Sequence, residues 1–404
     1  MRGRGALLAA VLVAHSVPAE ATPQILLRSG DAAADGLRLD GFRLPAASSA
    51  GQIGLLATTS GILREDGGVL AVVVKTGDAL PAPLPGTFGA LSGATIADSG
   101  AIAFAATLDS PLAGAGIFVA GPGGTVARVL ELGPVSATTV ARPALNQAGD
   151  LIYRRAASLF FLPSGSDASV PVALRLAPAP GGGTFRRVGP SAVLSDQGVV
   201  AFSADARRGP SGIFTWDATS GLEVAAEEGA ASPIPGATYG SFDGRDGVSI
   251  NDGQIAFVAP LAGSATAGVF VRDLAGGVTA PVAKVGDLVG AEPLVTIRPG
   301  FVGLNALGEV AFVGVFGSGA KLVRADGGTL SVVTIDPGPA PGFASRLSDG
   351  GEAAWLDDGA VAHYTGSSVR HVAGRSGTTP LGGGFSALLP SINGAGAVAF
   401  GVSR

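Results

Sequence analysis

Cysteine is absent from the 404 residues, methionine occurs once, and tryptophan, tyrosine and histidine number two, three and three. Without thiols there is no disulfide framework, no thiolate metal site and no lipid-accepting N-terminal Cys. Beyond His15 only His363 and His371 remain, so a Ser-His-Asp triad or a transition-metal centre has little to draw on. No stretch approaches the ~20 apolar residues that a membrane-crossing helix needs. The mean hydropathy of +0.45 comes instead from Ala, Val and Gly spread along the chain. Basic residues form no run and the net charge is −5, which argues against nucleic acid or anionic lipid as partners. No cofactor is expected.

The first residues have the three parts of an export signal. Arg2 and Arg4 give a positive start, Ala6 to Ala14 form a short apolar run, and Pro18-Ala19-Glu20-Ala21 supplies a small-x-small site. The expectation is a signal peptide over 1–21, cleaved after Ala21, followed by one domain over 22–404 with no stable membrane span. Such a product is secreted or periplasmic.

The rest of the chain repeats itself. A Gly followed by a short apolar segment ending in an aromatic recurs as ADSGAIAF to Phe104, SDQGVVAF to Phe202, NALGEVAF to Phe312 and NGAGAVAF to Phe400. Looser copies end at Leu55, Tyr153, Phe257 and Trp355. The glycines are Gly51, Gly100, Gly149, Gly198, Gly253, Gly308, Gly351 and Gly396, spaced by 49, 49, 49, 55, 55, 43 and 45 residues. Further parts recur in step: a second apolar segment (Gly116-Ile117-Phe118, Gly212-Ile213-Phe214, Gly268-Val269-Phe270) and a turn such as Asp66-Gly67-Gly68 or Asp326-Gly327-Gly328. A third segment ends in Gly-Asp, as at Gly77-Asp78 and Gly286-Asp287. A loop then leads to an aromatic such as Phe88, Phe185 or Phe385. Asp-Gly and Gly-Gly between apolar runs are hairpin signals, because such turns need positive φ.

Four short strands per unit of about 49 residues predict an all-β chain, a β-propeller of seven or eight blades. A solenoid or a string of small sandwiches is the other architecture such a period allows. The chain starts with a fourth-type strand at Ile25–Arg28 and ends on first- and second-type segments, so an N-terminal strand is expected to close the last blade. On this count the composite blade lacks its third strand.

The units resemble the bacterial exported tandem-repeat proteins named for an N-x-x-G-x-x-A-F motif, best matched by Asn305 to Phe312 and Asn393 to Phe400. The resemblance covers essentially the whole chain after residue 21. It implies export and carries no known catalytic residues. Members of that family often carry a C-terminal surface anchor of variable type. The sequence stops at Arg404 just after the last motif, so release or periplasmic retention is expected.

Candidate sites come from what departs from the repeat. The segment before the motif Gly holds Arg in six units, including Arg43 and the pair Arg186 and Arg187. In a propeller that segment can face the central channel, so Arg142, Arg187, Arg245, Arg298 and Arg346 are the candidate ligand-binding residues, suited to an anion. Their uneven offsets from the Gly equally suit scattered loop arginines. His363 and His371 make a poor metal pair without carboxylates beside them, and no metal site is expected. Asp98, Asp196 and Asp349 before the motif Gly are similar to the Asp-box turn of sialidase propellers, but the aromatic lies one residue too far along, and they read as turn residues. Asp31 with Asp35, and Asp243, Asp246 and Asp252, lack calcium-loop spacing. Trp216 and Tyr364 are among the few aromatics left for stacking on a sugar. The expectation is a non-catalytic binding or cell-surface interaction module with an extracellular ligand or protein as partner. The alternative is an extracellular glycan hydrolase or lyase on the same scaffold, which would gather Asp or Glu with an Arg at one channel mouth.

Overall fold

The computed structural model describes residues 9–14, 24–28, 42–48, 52–57, 61–66, 69–109, 114–133, 143–189, 192–242, 247–263, 266–333, 347–357, 360–366, 368–373, 386–387, 390–393, 396 and 398–403. Every named element among them is a β-strand. The cause is local: runs rich in Val, Ile, Ala and Phe, two to ten residues long, sit between Gly-containing turns, and none offers a capped helical period.

The chain divides into two units. The first comprises Met1–Leu145, Ala340–Ala344 and Glu352–Arg404. It contains an antiparallel four-stranded sheet, Phe42–Ala47, Ile53–Ala57, Gly61–Asp66 and Val69–Lys75. A second is built from Thr87–Ile96, Ile102–Asp109, Gly114–Ala120 and Val126–Gly133. A three-stranded sheet follows at Ala353–Asp357, Ala360–Tyr364 and Val369–Ala373. The two ends of the chain share its remaining sheet. Val398–Ser403 pairs with Ala9–Ala14, Ala9 opposite Ser403 and Ala14 opposite Val398. Gln24–Arg28 pairs with the far side of Ala9–Ala14. The composite sheet therefore has its third strand, contrary to the strand count made from sequence. The apolar run read as the core of an export signal fills that place, because a short Ala/Val/Leu segment satisfies a strand as readily as a signal.

The second unit is Asn146–Pro339 with Ser345–Gly351. Its sheets repeat the plan: Thr184–Val188, Val200–Arg207, Gly212–Asp217 and Gly221–Glu227 in order, with Val193–Leu194 also on Val200–Arg207. Next comes Ala237–Tyr239, Gln254–Gly263, Ala267–Asp273 and Thr279–Lys284. Thr296–Leu304, Val310–Phe316, Gly319–Asp326 and Thr329–Val332 complete the series.

The recurrent aromatics form the cores. Phe104 lies opposite Phe118 on adjacent strands with rings stacked at 5.7 Å, and Phe88 meets Phe118 edge-on at 4.8 Å. The same triad recurs as Phe185, Phe202 and Phe214, with a 5.7 Å stack and a 5.3 Å edge contact. It recurs again as Tyr239, Phe257 and Phe270, at 5.5 and 5.3 Å. Each ring is buried; offset and edge-on pairs are favourable beyond their area, and each fully buried ring contributes about 1.5–3 kcal/mol. Burial pushes the Tyr239 phenol up to about 12. Trp216 belongs to this core as well, 5.0 Å from Phe161 and 7% exposed, so it is not free to stack on a ligand.

The motif turn explains the Asn and the Gly. In the turn beginning at Asn305, the amide of Gly308 donates to Asn305 O at 3.2 Å, and Gly308 takes φ +82°, the left-handed region that favours glycine. The Asn305 side chain accepts from Leu307 and Glu309 amides at 3.1 and 2.9 Å, and its Nδ2 donates to the carbonyl of Ser348, the same position in the next repeat, at 3.0 Å. Asn146 reaches Ser195 O at 3.0 Å, Asn251 reaches Asn305 O at 2.9 Å, and Asn393 reaches Ser48 O at 2.6 Å. The side chain after the Gly also reaches forward: Gln52 Oε1 lies where a Cβ on Gly100 would be, at 2.1 Å, and Glu352 does the same to Gly396. Asp196 and Asp349 accept from the amides of Gln147 and Ala306, a turn-bracing role. Each of these four Asn side chains thus ties its own repeat to a neighbouring one.

Candidate functional site

Within the second unit one cleft of about 430 Å³ opens beside the sheet of Thr184–Glu227. Its origin is a bulge. Phe185 pairs with Ala206 and Arg187 with Asp205, so Arg186 is the extra residue. A bulge re-aims side chains and is common beside binding sites. Here it sends two consecutive guanidinium groups to the cleft wall. Arg186 Nη2 lies 2.6 Å and Arg187 Nη2 3.5 Å from Oδ2 of Asp205. The Asp205 side chain is 8% exposed, whereas those of Arg186 and Arg187 are 67% and 41% exposed. Asp205 Oδ1 is buried and has no hydrogen-bond partner. The Arg186 guanidinium is held above its ordinary value by the hydrogen bond to Asp205.

The opposite wall is neutral and acidic. Ser211 donates from both Oγ and its amide to Glu228, at 2.7 and 3.2 Å, and its Oγ accepts from the Phe242 amide at 2.8 Å. Ser241 Oγ lies 3.3 Å from Ser211 Oγ. These bonds, led by the Ser211 hydroxyl, hold the Glu228 carboxyl below the usual carboxylate value. The rim is tight: a Cβ on Gly209 would sit 2.0 Å from Gly182 O, and neighbouring Arg208 takes φ 61°. Strain of that kind persists where the surroundings over-determine the chain. Arg154, on the strand Leu151–Arg155, is held below its ordinary value by burial and by the charge of Arg187.

Of the five arginines expected from sequence two are described, and of these Arg187 lines this cleft. Arg298 is half-buried in an irregular stretch of Thr296–Leu304 and does not line it. Arg142, Arg245 and Arg346 lie outside the described residues, as do Asp31, Asp35, Asp243 and Asp246. Sequence reasoning missed Asp205, Ser211, Glu228 and Ser241. Two signals marked them: an Asp breaking the apolar strand at Ser203-Ala204-Asp205, and the Glu227-Glu228 pair where other repeats have Lys75-Thr76 or Lys284-Val285. His363 pairs in register with Arg370 and His371 with Ala362, so the two histidines are not directly opposite one another in the strand register. His363 instead has Glu352 at 3.6 Å. Among the described residues no group of three or more His, Asp or Glu is arranged to hold a metal, and no helix is long and apolar enough to cross a membrane.

A family of unknown function, DUF7453, matches residues 18–157 and 56–299, together most of the sequence. The chain belongs to the DUF7453 family. No curated protein sequence matches it. Among solved structures this DUF7453 protein is similar to the Dos1 propeller, at 9% identity and a TM-score of 0.50 over 89% of this chain and 92% of that one. It is also similar to the β-propeller domain of the Trilobed protease from Pyrococcus furiosus, at 11% identity and 0.45, covering 82% and 95%. TolB from Acinetobacter baumannii aligns at 15% identity and 0.35 over 68% of this chain and 63% of its own length, so the match spans under two thirds of that protein. At such identities the likeness is one of fold: an all-β, propeller-type arrangement of antiparallel four-stranded sheets.

Proposed function

We propose that this DUF7453 protein is an exported, non-catalytic binding module on a β-propeller of seven or eight blades, with the chain ends sharing one blade. The observation that carries the binding role is the cleft at Arg186 and Arg187. The recurrent Asn, Gly and aromatic residues are committed to turns, latches and cores, and this cleft gathers residues that do not recur. Two guanidinium groups anchored by a buried carboxylate, on a rigid strand, form a preorganised polar site. The first residues and the N-x-x-G-x-x-A-F resemblance support export.

The enzyme reading has one specific observation behind it, since Asp205 and Glu228 share the cleft with two arginines. A glycosidase acid must stay protonated near neutral pH. Glu228 is shifted the other way, and Asp205 is engaged by the guanidinium of Arg186. The pair suits holding a ligand better than donating a proton to one.

The test is a screen of the purified full chain against saccharide and peptide arrays, with products followed by mass spectrometry. Binding that is lost in Arg187→Ala, without turnover, is the expected result; turnover dependent on Glu228 overturns the non-catalytic reading. N-terminal sequencing of the protein from the host's periplasm and medium should find Thr22 first, a cut that takes Ala9–Ala14 out of the composite sheet and leaves Gln24–Arg28 as the N-terminal strand to close it, and an intact Met1 in the cytoplasm overturns export.

A further inference from the structure

Ala9–Ala14 has two roles: it belongs to the apolar run of the export signal, and it is the third strand of the sheet that joins the chain ends. Its register shows how fully it meets the second. Residues 10–14 (AVLVA) stand opposite residues 402–398, with Leu12 facing the motif aromatic Phe400. In the sheet of Thr87–Gly133, residues 116–120 (GIFVA) stand opposite residues 106–102, with Phe118 facing Phe104. Place for place, Ala-Val-Leu-Val-Ala stands for Gly-Ile-Phe-Val-Ala. The bulge recurs as well. Pairing to the outer strand slips between Val11 and Leu12, as it does between Ile117 and Phe118 and between Ile213 and Phe214. Apolar character alone specifies neither a register nor a bulge, and this run reproduces both.

The first role needs a different backbone. An apolar run that enters a bilayer finds no water for its N–H and C=O groups and satisfies them within itself as a helix. As a strand, Ala9–Ala14 bonds outward on both edges, to Val398–Ser403 and to Gln24–Arg28. Six residues span about 20 Å as a strand and about 9 Å as a helix. The two conformations exclude one another. A precursor that has completed this sheet therefore holds its export run out of reach.

We infer that the pairing of Ala9–Ala14 with Val398–Ser403 is an autoinhibitory lock on export: the folded precursor conceals its own signal, and this junction must open before the signal is used. The inference rests on the reading of residues 1–21 as an export signal and adds the contact that regulates it.

The experiment presents the purified full-length precursor to signal peptidase in lipid micelles, where cleavage needs the signal and no translocation. Conversion to the chain beginning at Thr22 is followed over time, beside the same precursor freshly diluted from urea. Only molecules with an open junction are competent, so the folded wild type should be cut at least about tenfold more slowly than the diluted chain. Among the described pairings Gly401 stands opposite Val11 alone, whereas Val402 also pairs with Ala387. Proline fits poorly inside a paired strand, so Gly401→Pro should recover most of that factor. With no native cysteine, Val11→Cys combined with Gly401→Cys places a single disulfide across the junction, at directly opposed positions within disulfide reach. Oxidised, this variant should resist cleavage; reduced, it should follow the wild type, and that comparison stands even if Gly401→Pro fails to fold. Folded wild type cut as fast as the diluted chain, a folded Gly401→Pro cut no faster than wild type, or equal rates for the oxidised and reduced pair each overturn the lock and leave export intact. If the diluted wild type is not cut after Ala21 at all, the export reading falls and the lock falls with it.

Discussion

The sheets of Thr87–Gly133 and Thr184–Glu227 are two copies of one plan that differ where it matters. Their aromatic triads coincide: stacked pairs at 5.7 Å with rings inclined 21° and 23°, and edge contacts inclined 74° and 76°. Their motif glycines, Gly100 and Gly198, both take φ +80°. Both sheets bulge just after the first aromatic. In one, the bulge holds Gly89 and Ala90, closed by Thr107 Oγ1 accepting from the Ala90 amide at 2.6 Å. There is no space: a Cβ on Gly89 would lie 2.4 Å from that hydroxyl. In the other, the same place holds Arg186 and Arg187 over Asp205, and a cleft opens. The triad and the turn set the frame, and the bulge is left free to change chemistry without disturbing either.

The strongest way to break this comparison is through the shared core. Phe104→Ala and Phe202→Ala should each cost about 3–5 kcal/mol, measured by urea unfolding, because both rings are fully buried in equivalent triads. Costs that differ by more than about 1.5 kcal/mol, beyond the usual scatter of core truncations, would show that the two frames are not interchangeable. Next is the Asn latch on one copy, where the repeat before the other copy has Ser48 in place of the Asn. Asn146 donates to Ser195 O at the turn of the Arg-bearing sheet and is buried, so Asn146→Ala should cost about 2 kcal/mol by removing that bond and the one its Oδ1 accepts from the Asp150 amide at 2.8 Å. Hydrogen exchange should rise around 195–199, and unchanged protection there would contradict a latch. Smaller still is the glycine contrast. Gly100→Ala and Gly198→Ala each force a left-handed Ala at about 1–2 kcal/mol. Gly100 should suffer more, since Gln52 Oε1 lies 2.1 Å from its would-be Cβ, against 3.5 Å from Asp150 Oδ2 at Gly198. Equal melting temperatures would remove the Gln52 contact from the account.

The least effect is electrostatic and belongs to one copy only. Glu228 is held below its ordinary value, chiefly by the Ser211 hydroxyl, where the other sheet has Leu132. A depressed carboxylate contributes stability above its unfolded pKa of about 4.3 and loses it as pH falls through the lower folded value. Wild type should therefore lose a small increment of stability below about pH 4.3 that Glu228→Gln lacks. Identical acid unfolding profiles would show that this wall of the cleft is not prearranged.

The repeat made the sheets legible, since the period, the hairpin turns and the aromatic positions are sequence-local and tell directly which strands lie side by side. The role of the motif Asn was not legible, because its acceptor sits in the next repeat. The arginine pattern pointed to Arg187 and could not identify its partners. Asp205 comes from a later strand of the same sheet and Glu228 from just past its last strand, and the meeting of Asp205 with Arg186 and Arg187 depends on a one-residue register shift that no periodicity encodes. Trp216 was misread for a related reason: it falls outside the recurrent aromatic position, and only the contact with Phe161 places it in a core.

The sheet joining Ala9–Ala14 to Val398–Ser403 sets a timetable for the molecule. Almost the whole polypeptide must be synthesised before that seam can be sewn, whereas every other four-stranded sheet is complete within some fifty residues of chain. Pairing between such distant segments is slow compared with hairpin formation. The uncleaved nascent chain therefore passes through a stage with finished sheets and one raw border at Val398–Ser403, and in that interval the seam is where a protease or a neighbouring chain would first take hold.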